Sequence, residues 1–164
     1  MHLNIKIDLD QSDVSNTSLT IEEMNKYYQT VIDKQDSNLD SGLDLVTPQK
    51  IIIPEGSNSY KVSLCVCCEP FFEDNKVRGY YLMPRSSMGK SNLRFSNSIG
   101  LIDFSYRGPI SMMIDNIGKE TVTIEKGTRL CQLVSYDLSP IKISLVDSLS
   151  MTERGRGGFG STGE

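Results

Sequence analysis

The chain is poor in the residues that most hydrolytic and metal-dependent chemistries need. Its 164 residues hold one histidine, His2. A Ser-His or Cys-His nucleophilic enzyme needs an imidazole beside its nucleophile, so that class is set aside. Cysteine is limited to Cys65, Cys67, Cys68 and Cys131. The Cys-x-Cys-Cys cluster has no second pair at zinc-ligand spacing. Adjacent Cys67 and Cys68 point to opposite faces of a strand, where they do not readily share a metal. Buried, reduced core thiols are therefore expected. No apolar run approaches the roughly 20 residues that cross a bilayer. The start, MHLNIKIDLD, carries charges inside its apolar run and lacks signal-peptide organisation. A soluble intracellular protein, cytoplasmic or nuclear, is expected. Positive charge is also scarce. The net charge of −4 argues against a surface that grips nucleic acid as a whole, and leaves room for a locally basic site.

What is present is a chain of one-domain length with 38% apolar and 23% charged residues. Residues 2–8 alternate apolar and polar and read as a strand. Residues 9–18 are rich in Ser, Asp and Asn and read as a loop. Thr20 with Glu23 forms the Thr-x-x-Glu pattern of a capping box. Ile21, Met24, Tyr28, Val31 and Ile32 then recur at helical spacing, which predicts an amphipathic helix over about 20–34. From residue 50 onward the period turns to two. Strands are predicted over 50–53, 60–68, 79–83, 110–114, 121–124, 129–136 and 141–146. Val62, Leu64, Val66 and Cys68 share one face of the second of these. Gly118-Lys119 and Lys126-Gly127 mark turns. Many short strands at close spacing mean a sandwich, barrel or jelly roll.

The stretch NSIGLIDFSYRG, residues 97–108, pairs a short apolar run with one carboxylate, Asp103, and one aromatic, Tyr106. It reads as a β-hairpin, whose bend offers bare N–H and C=O groups suited to the polar edge of a flat ring. Taken alone, an ordinary hairpin with a surface aspartate satisfies it. The last dozen residues change character: five glycines fall between Arg154 and Gly163, with Phe159 as the one aromatic. Such a segment cannot bury enough apolar surface to order itself. Arg154-Gly155-Arg156-Gly157-Gly158-Phe159 also looks like a small RGG-type nucleic-acid segment, but it occurs once, in an acidic chain.

Five segments in order change these readings. They are SGLDL (41–45), PRSSMG (84–89), GLIDFSYRG (100–108), GTRLCQLV (127–134) and RGRGGFGSTG (154–163). Together they resemble the trimeric dUTP diphosphatases (dUTPases), from about Ser41 to the C-terminus. The resemblance implies an all-β, jelly-roll-like β-barrel over residues 1–152, with one short helical insertion near the N-terminus, and a mobile glycine-rich arm over 153–164. It implies hydrolysis of dUTP to dUMP and pyrophosphate, with Mg²⁺ bound by the phosphates and Asp44 reaching the metal through water. Asp103 would be the general base that takes a proton from water attacking the α-phosphorus. Arg85, Ser86 and Ser87 would meet the phosphates, with Gln132 near them. Many relatives carry Gly where this chain has Ser87, so only backbone contact is expected there.

Uracil would be read by backbone groups near Gly100, Leu101 and Ile102, with the Asn97 side chain assisting. Tyr106 would pack on the sugar, with Ser111 close by; Phe104 departs from the small or polar residue common at its position. The arm would bring Phe159 over the base and Arg154 to the γ-phosphate, with Gly160, Ser161 and Thr162 adding donors. Relatives are homotrimers whose sites are shared between chains, so the expected partners are dUTP and two further copies, without nucleic acid or membrane. Two alternatives keep the fold: a dCTP deaminase, and a non-catalytic nucleotide-binding or regulatory protein. An RGG-tailed RNA binder is a third.

Overall fold

The computed structural model describes residues 1–9, 18–74 and 76–157, and the alternating segments fold as strands. In chain order the elements are β1 (His2–Ile7), α1 (Ile21–Ile32), β2 (Gly42–Val46), β3 (Ile51–Ile53), β4 (Tyr60–Ser63), β5 (Val66–Phe71), β6 (Tyr80–Pro84), a 3-10 turn (Ser86–Lys90), β7 (Leu93–Phe95), β8 (Gly100–Ile102), β9 (Ser111–Asn116), β10 (Val122–Ile124), β11 (Arg129–Val134) and β12 (Lys142–Leu145). β1 lies between β12 and β5; β2, β11, β6 and β8 form a second sheet in that order; β9 lies between β4 and β7; β10 pairs with β3. The β1–β12 pair is parallel, and the other ladders run antiparallel. The result is an all-β, jelly-roll-like fold with one α-helix among the described residues.

One apolar cluster fills the interior, with Leu3, Ile5, Leu45, Ile53, Leu64, Leu82, Ile110 and Leu133 among its members. α1 closes one side. Its capping box is formed: Glu23 N–H donates to Thr20 Oγ1 at 3.1 Å, and Thr20 N–H donates to Glu23 Oε2 at 2.8 Å. Met24 and Tyr28 are fully buried beneath it. Burying two such side chains contributes roughly 1.5–3 kcal/mol each, so packing rather than propensity holds a helix this short. It ends at Ile32, two residues before the predicted limit, and the chain continues as turns to residue 37. None of the described helices is long and apolar enough to cross a membrane.

Two expectations are corrected. Residues 60–68 are not one strand. The chain breaks at Leu64–Cys65, where Cys65 takes φ +53°, and β4 and β5 join different sheets. Leu64 N–H donates to Ile110 O at 2.9 Å, and Ile110 N–H to Val66 O at 2.8 Å. These bonds stitch the corner to the start of β9. Apolar alternation runs straight through the corner, so the pattern alone does not reveal it.

The stretch 97–108 is not a self-paired hairpin either. Its first arm, β8, pairs with β6, while the flanking strands β7 and β9 pair with each other. The returning arm has few donors to offer a ladder. Pro109 has no N–H, and the Arg107 N–H donates to Gly155 O at 2.7 Å. β8 is thereby left as an edge strand.

All four cysteines are buried and none is in a disulfide. Burial, with Asp8 nearby, pushes the Cys67 thiol up to about 12, and burial beside Cys67 does the same for Cys68.

Candidate active site

The open edge of β8 borders a cavity of about 210 Å³, lined by Asn97, Gly100, Leu101, Ile102, Asp103, Tyr106, Ser111 and Arg154. Every lining residue was nominated from the sequence. One row of β8 N–H and C=O groups is spent on β6, at the registers Tyr80–Ile102 and Leu82–Gly100. The other row is free for a ligand, as on any sheet edge. Gly100 packs against Leu82, where a Cβ would lie 3.2 Å from the leucine Cβ. At Gly79 a Cβ would come within 2.8 Å of Ile102 O, so glycine there lets β8 approach.

Beyond β8 the chain turns, with Tyr106 N–H donating to Asp103 O at 3.1 Å. Asp103 is about half exposed and ion-paired with Arg154. The Arg154 guanidinium also lies 5.8 Å from the centre of the Tyr106 ring. Tyr106 Oη donates to Pro109 O at 3.0 Å, and burial raises its pKa above the usual phenol value. It is a neutral, fixed wall. Ser111 Oγ donates to Pro109 O at 3.3 Å. The cavity therefore joins a backbone edge, one carboxylate, one ring and one guanidinium.

A second cluster sits on the same sheet. Asp44 of β2 stands opposite Gln132 of β11. Its Oδ1 lies 2.8 Å from Arg85 Nε and its Oδ2 3.1 Å from Arg129 Nη1. Arg85 directly follows β6. Ser86 and Ser87, both exposed, open the 3-10 turn that buried Met88 anchors. Gly42 leaves room for the Gln132 amide: a Cβ at 42 would sit 1.9 Å from its Oε1.

Within one chain the two clusters lie at separate points along β6. Ile102 pairs with Tyr80 at one end of β6, and Arg85 follows the other end. Five strand residues separate them by about 17 Å.

The sequence matches the dUTPase family model over residues 28–163. The chain belongs to the dUTPase family. It is 36% identical over 137 residues to a deoxyuridine 5'-triphosphate nucleotidohydrolase of Crocosphaera subtropica, covering 82% of this chain and 92% of that protein. It is 35% identical over 126 residues to a protein of the same name from Clostridioides difficile, covering 76% and 84%. Among solved structures, the dUTPase of Staphylococcus bacteriophage 80alpha aligns over 99% of this chain and 98% of its own, with TM-score 0.52 and 21% identity. EIAV dUTPase aligns over 80% and 85%, with TM-score 0.50 and 22% identity. These two likenesses speak for the fold.

Of the residues through which this dUTPase-family chain resembles its relatives, Phe159, Gly160, Ser161 and Thr162 lie outside the described residues. Three further residues touch the clusters and were not singled out from the sequence. Gly42 is the first. Tyr27 of α1 donates from its hydroxyl to Asp44 O at 3.4 Å. Arg107 lies inside the GLIDFSYRG motif, is 8% exposed, and faces Glu69, which is 9% exposed. A cation four residues after Asp103, in a motif with no other charge, was the available signal for it.

Proposed function

We propose that this chain is a dUTP diphosphatase, converting dUTP and water to dUMP and pyrophosphate. The observation that carries the reading is the cavity on the β8 edge, which brings Asp103 and Tyr106 into one lining. The uracil edge presents acceptor, donor and acceptor, which the outward N–H and C=O groups of Leu101, between Gly100 and Ile102 on the open edge of β8, can match together with the Asn97 side chain. Cytosine would leave buried partners unpaired, at about 1–3 kcal/mol per group. Tyr106 packs on the sugar and leaves no room for a 2′-hydroxyl.

Asp103 holds the attacking water and takes its proton as the oxygen bonds to the α-phosphorus. The bond from that phosphorus to the bridging oxygen breaks, and its electron pair leaves with pyrophosphate. For this the carboxylate must be free of Arg154, and the γ-phosphate offers that guanidinium a more highly charged partner. Arg154 then carries the arm, with Phe159 over the base and Gly160, Ser161 and Thr162 at the phosphates. Closure of residues 153–164 over a barrel of residues 1–152 excludes water.

Arg85, Ser86, Ser87 and Gln132 receive the outer phosphates. Among the described residues no group of three His, Cys, Asp or Glu side chains could hold a metal. Asp44 gives one oxygen to each of two arginines, which leaves about two of a carboxylate's four acceptor sites. These suit a water carried by Mg²⁺ that enters on the triphosphate. The ion would neutralise the charge that develops on the pyrophosphate.

Neighbouring phosphates of one nucleotide lie a few ångströms apart, whereas the Asp103 and Arg85 ends of β6 are about 17 Å apart. A complete site therefore takes its base pocket from one copy and its phosphate cluster from another. This supports a homotrimer with shared sites, and no activity in a monomer.

The test is a panel of dUTP, dCTP, dTTP and UTP with Mg²⁺, following pyrophosphate and ammonia. Pyrophosphate from dUTP alone is the expected result. Ammonia from dCTP would replace the assignment with a deaminase, and no turnover at all would leave a nucleotide-binding protein.

A further inference from the structure

The turn that carries Asp103 is held from behind by a buried charge cluster. Arg107 Nη1 donates to Phe104 O at 2.6 Å and to Tyr106 O at 3.1 Å. Its Nη2 faces Glu69 Oε1 at 3.6 Å and Ser150 Oγ at 3.5 Å. Ser150 Oγ donates in turn to Glu69 Oε1, and Asn4 Nδ2 to Glu69 Oε2 at 3.4 Å. The backbone adds two ties between the turn and the root of the arm: Arg107 N–H to Gly155 O at 2.7 Å, and Thr152 Oγ1 to Ser105 O at 2.5 Å.

This is a costly way to fill a core position. Arg107 Nε is buried without a hydrogen-bond partner, and two charges have been taken out of water, where an apolar pair of similar volume often serves stability as well or better. What the guanidinium supplies that an apolar side chain cannot is geometry. In its planar fork Nη1 grips two carbonyls of one turn while Nη2 faces a carboxylate on β5.

We propose that Arg107 is a positioning residue for the hydrolysis. Through Glu69 and Ser150 it locks the turn that aims Asp103, and it ties that aim to the docked root of the arm that brings Arg154. The inference rests on the reading of Asp103 as the base. The uracil slot is anchored separately, by the pairing of β8 with β6, so the clamp serves the chemical step more than base recognition.

The experiment is steady-state pyrophosphate release from dUTP and Mg²⁺ by the full chain, with a thermal melt of each variant. Arg107→Met is expected to lower kcat on the order of 10²-fold, as a displaced reacting group does, with KM little changed. Arg107→Lys is not expected to rescue it, because one ammonium cannot hold both carbonyls and Glu69. Glu69→Gln is expected to give a smaller loss of kcat. Adding it to Arg107→Met is expected to slow the enzyme no further, because both act along one path. Wild-type kcat in Arg107→Met would overturn the proposal, as would a loss that appears in KM alone. If Arg107→Met does not fold, Glu69→Gln decides: reduced kcat in a protein of unchanged melting point supports the clamp, and unchanged kcat overturns it. Asp103→Asn keeps the two readings apart. Turnover surviving in that variant removes the base assignment itself, whereas its loss beside an active Arg107→Met removes only the clamp.

Discussion

Arg154, at the root of the C-terminal arm, is ion-paired with Asp103, the carboxylate at the mouth of the β8 cavity. The arm residue that the phosphates would claim thus sits on the group that would activate water. Both side chains are partly exposed, at 32% and 46%, and pairs of this kind contribute about 0–1 kcal/mol. Such a pair can be exchanged for a phosphate without unfolding anything.

Asp103→Asn should therefore leave the melting point within a few degrees of wild type, while turnover falls by about 10²–10⁴ or more. Binding of dUTP should persist, because the β8 edge is untouched. Pyrophosphate release and equilibrium binding, measured on the same preparation, check this. Turnover near wild type would mean that another group takes the proton.

Part of this arrangement was legible in the sequence, and the reasons for the rest are physical. Period-two alternation marks most of the strands because each has one face in a single core. The Thr20–Glu23 box marks the start of α1 because capping is local. The corner at Leu64–Cys65 escaped because the inward face stays apolar on both sides of it. The partner of β8 escaped because it depends on which N–H groups are spent or missing, at Arg107 and Pro109 respectively. The residues lining the β8 cavity fall within a few motifs and could be named in advance. Glu69 could not, since its meeting with Arg107 is made only by tertiary packing. Nor does a motif tell that Asp44 and Asp103 stand at distant points of one sheet.

The buried thiols predict how stability depends on pH. An unfolded cysteine ionises near 8.5, whereas folded Cys67 and Cys68 hold their protons up to about 12. Between these values the folded chain binds more protons than the unfolded one, so stability falls as pH rises. The contribution is complete below about pH 8.5 and is lost toward pH 12. Buried Tyr28 and Tyr80, whose hydroxyls are also raised, add to the fall above about pH 10. Melting points taken from pH 7 to 10 isolate the thiols, and Cys68→Ala should flatten the slope. At pH 7.5 a thiol reagent should find none of the four cysteines in the native protein and all four after denaturation. Fast reaction of a native thiol would contradict the burial.

Gly108→Ala tests whether the position of the Tyr106 ring matters. The conflict is local: a Cβ at 108 would lie 2.5 Å from Tyr106 Oη and 2.7 Å from its Cζ. Tyr106 cannot absorb this by a small rotation, because its hydroxyl is tied to Pro109 O at 3.0 Å. The ring must leave its place or the backbone must yield, at a cost of about 1–3 kcal/mol, which is a fall of several degrees in Tm for a chain of this size. If the ring is what excludes a 2′-hydroxyl, the ratio of kcat/KM for dUTP over UTP should drop as well, through faster relative turnover of UTP. A lower Tm with an unchanged ratio would detach Tyr106 from sugar selectivity and leave it a purely structural wall.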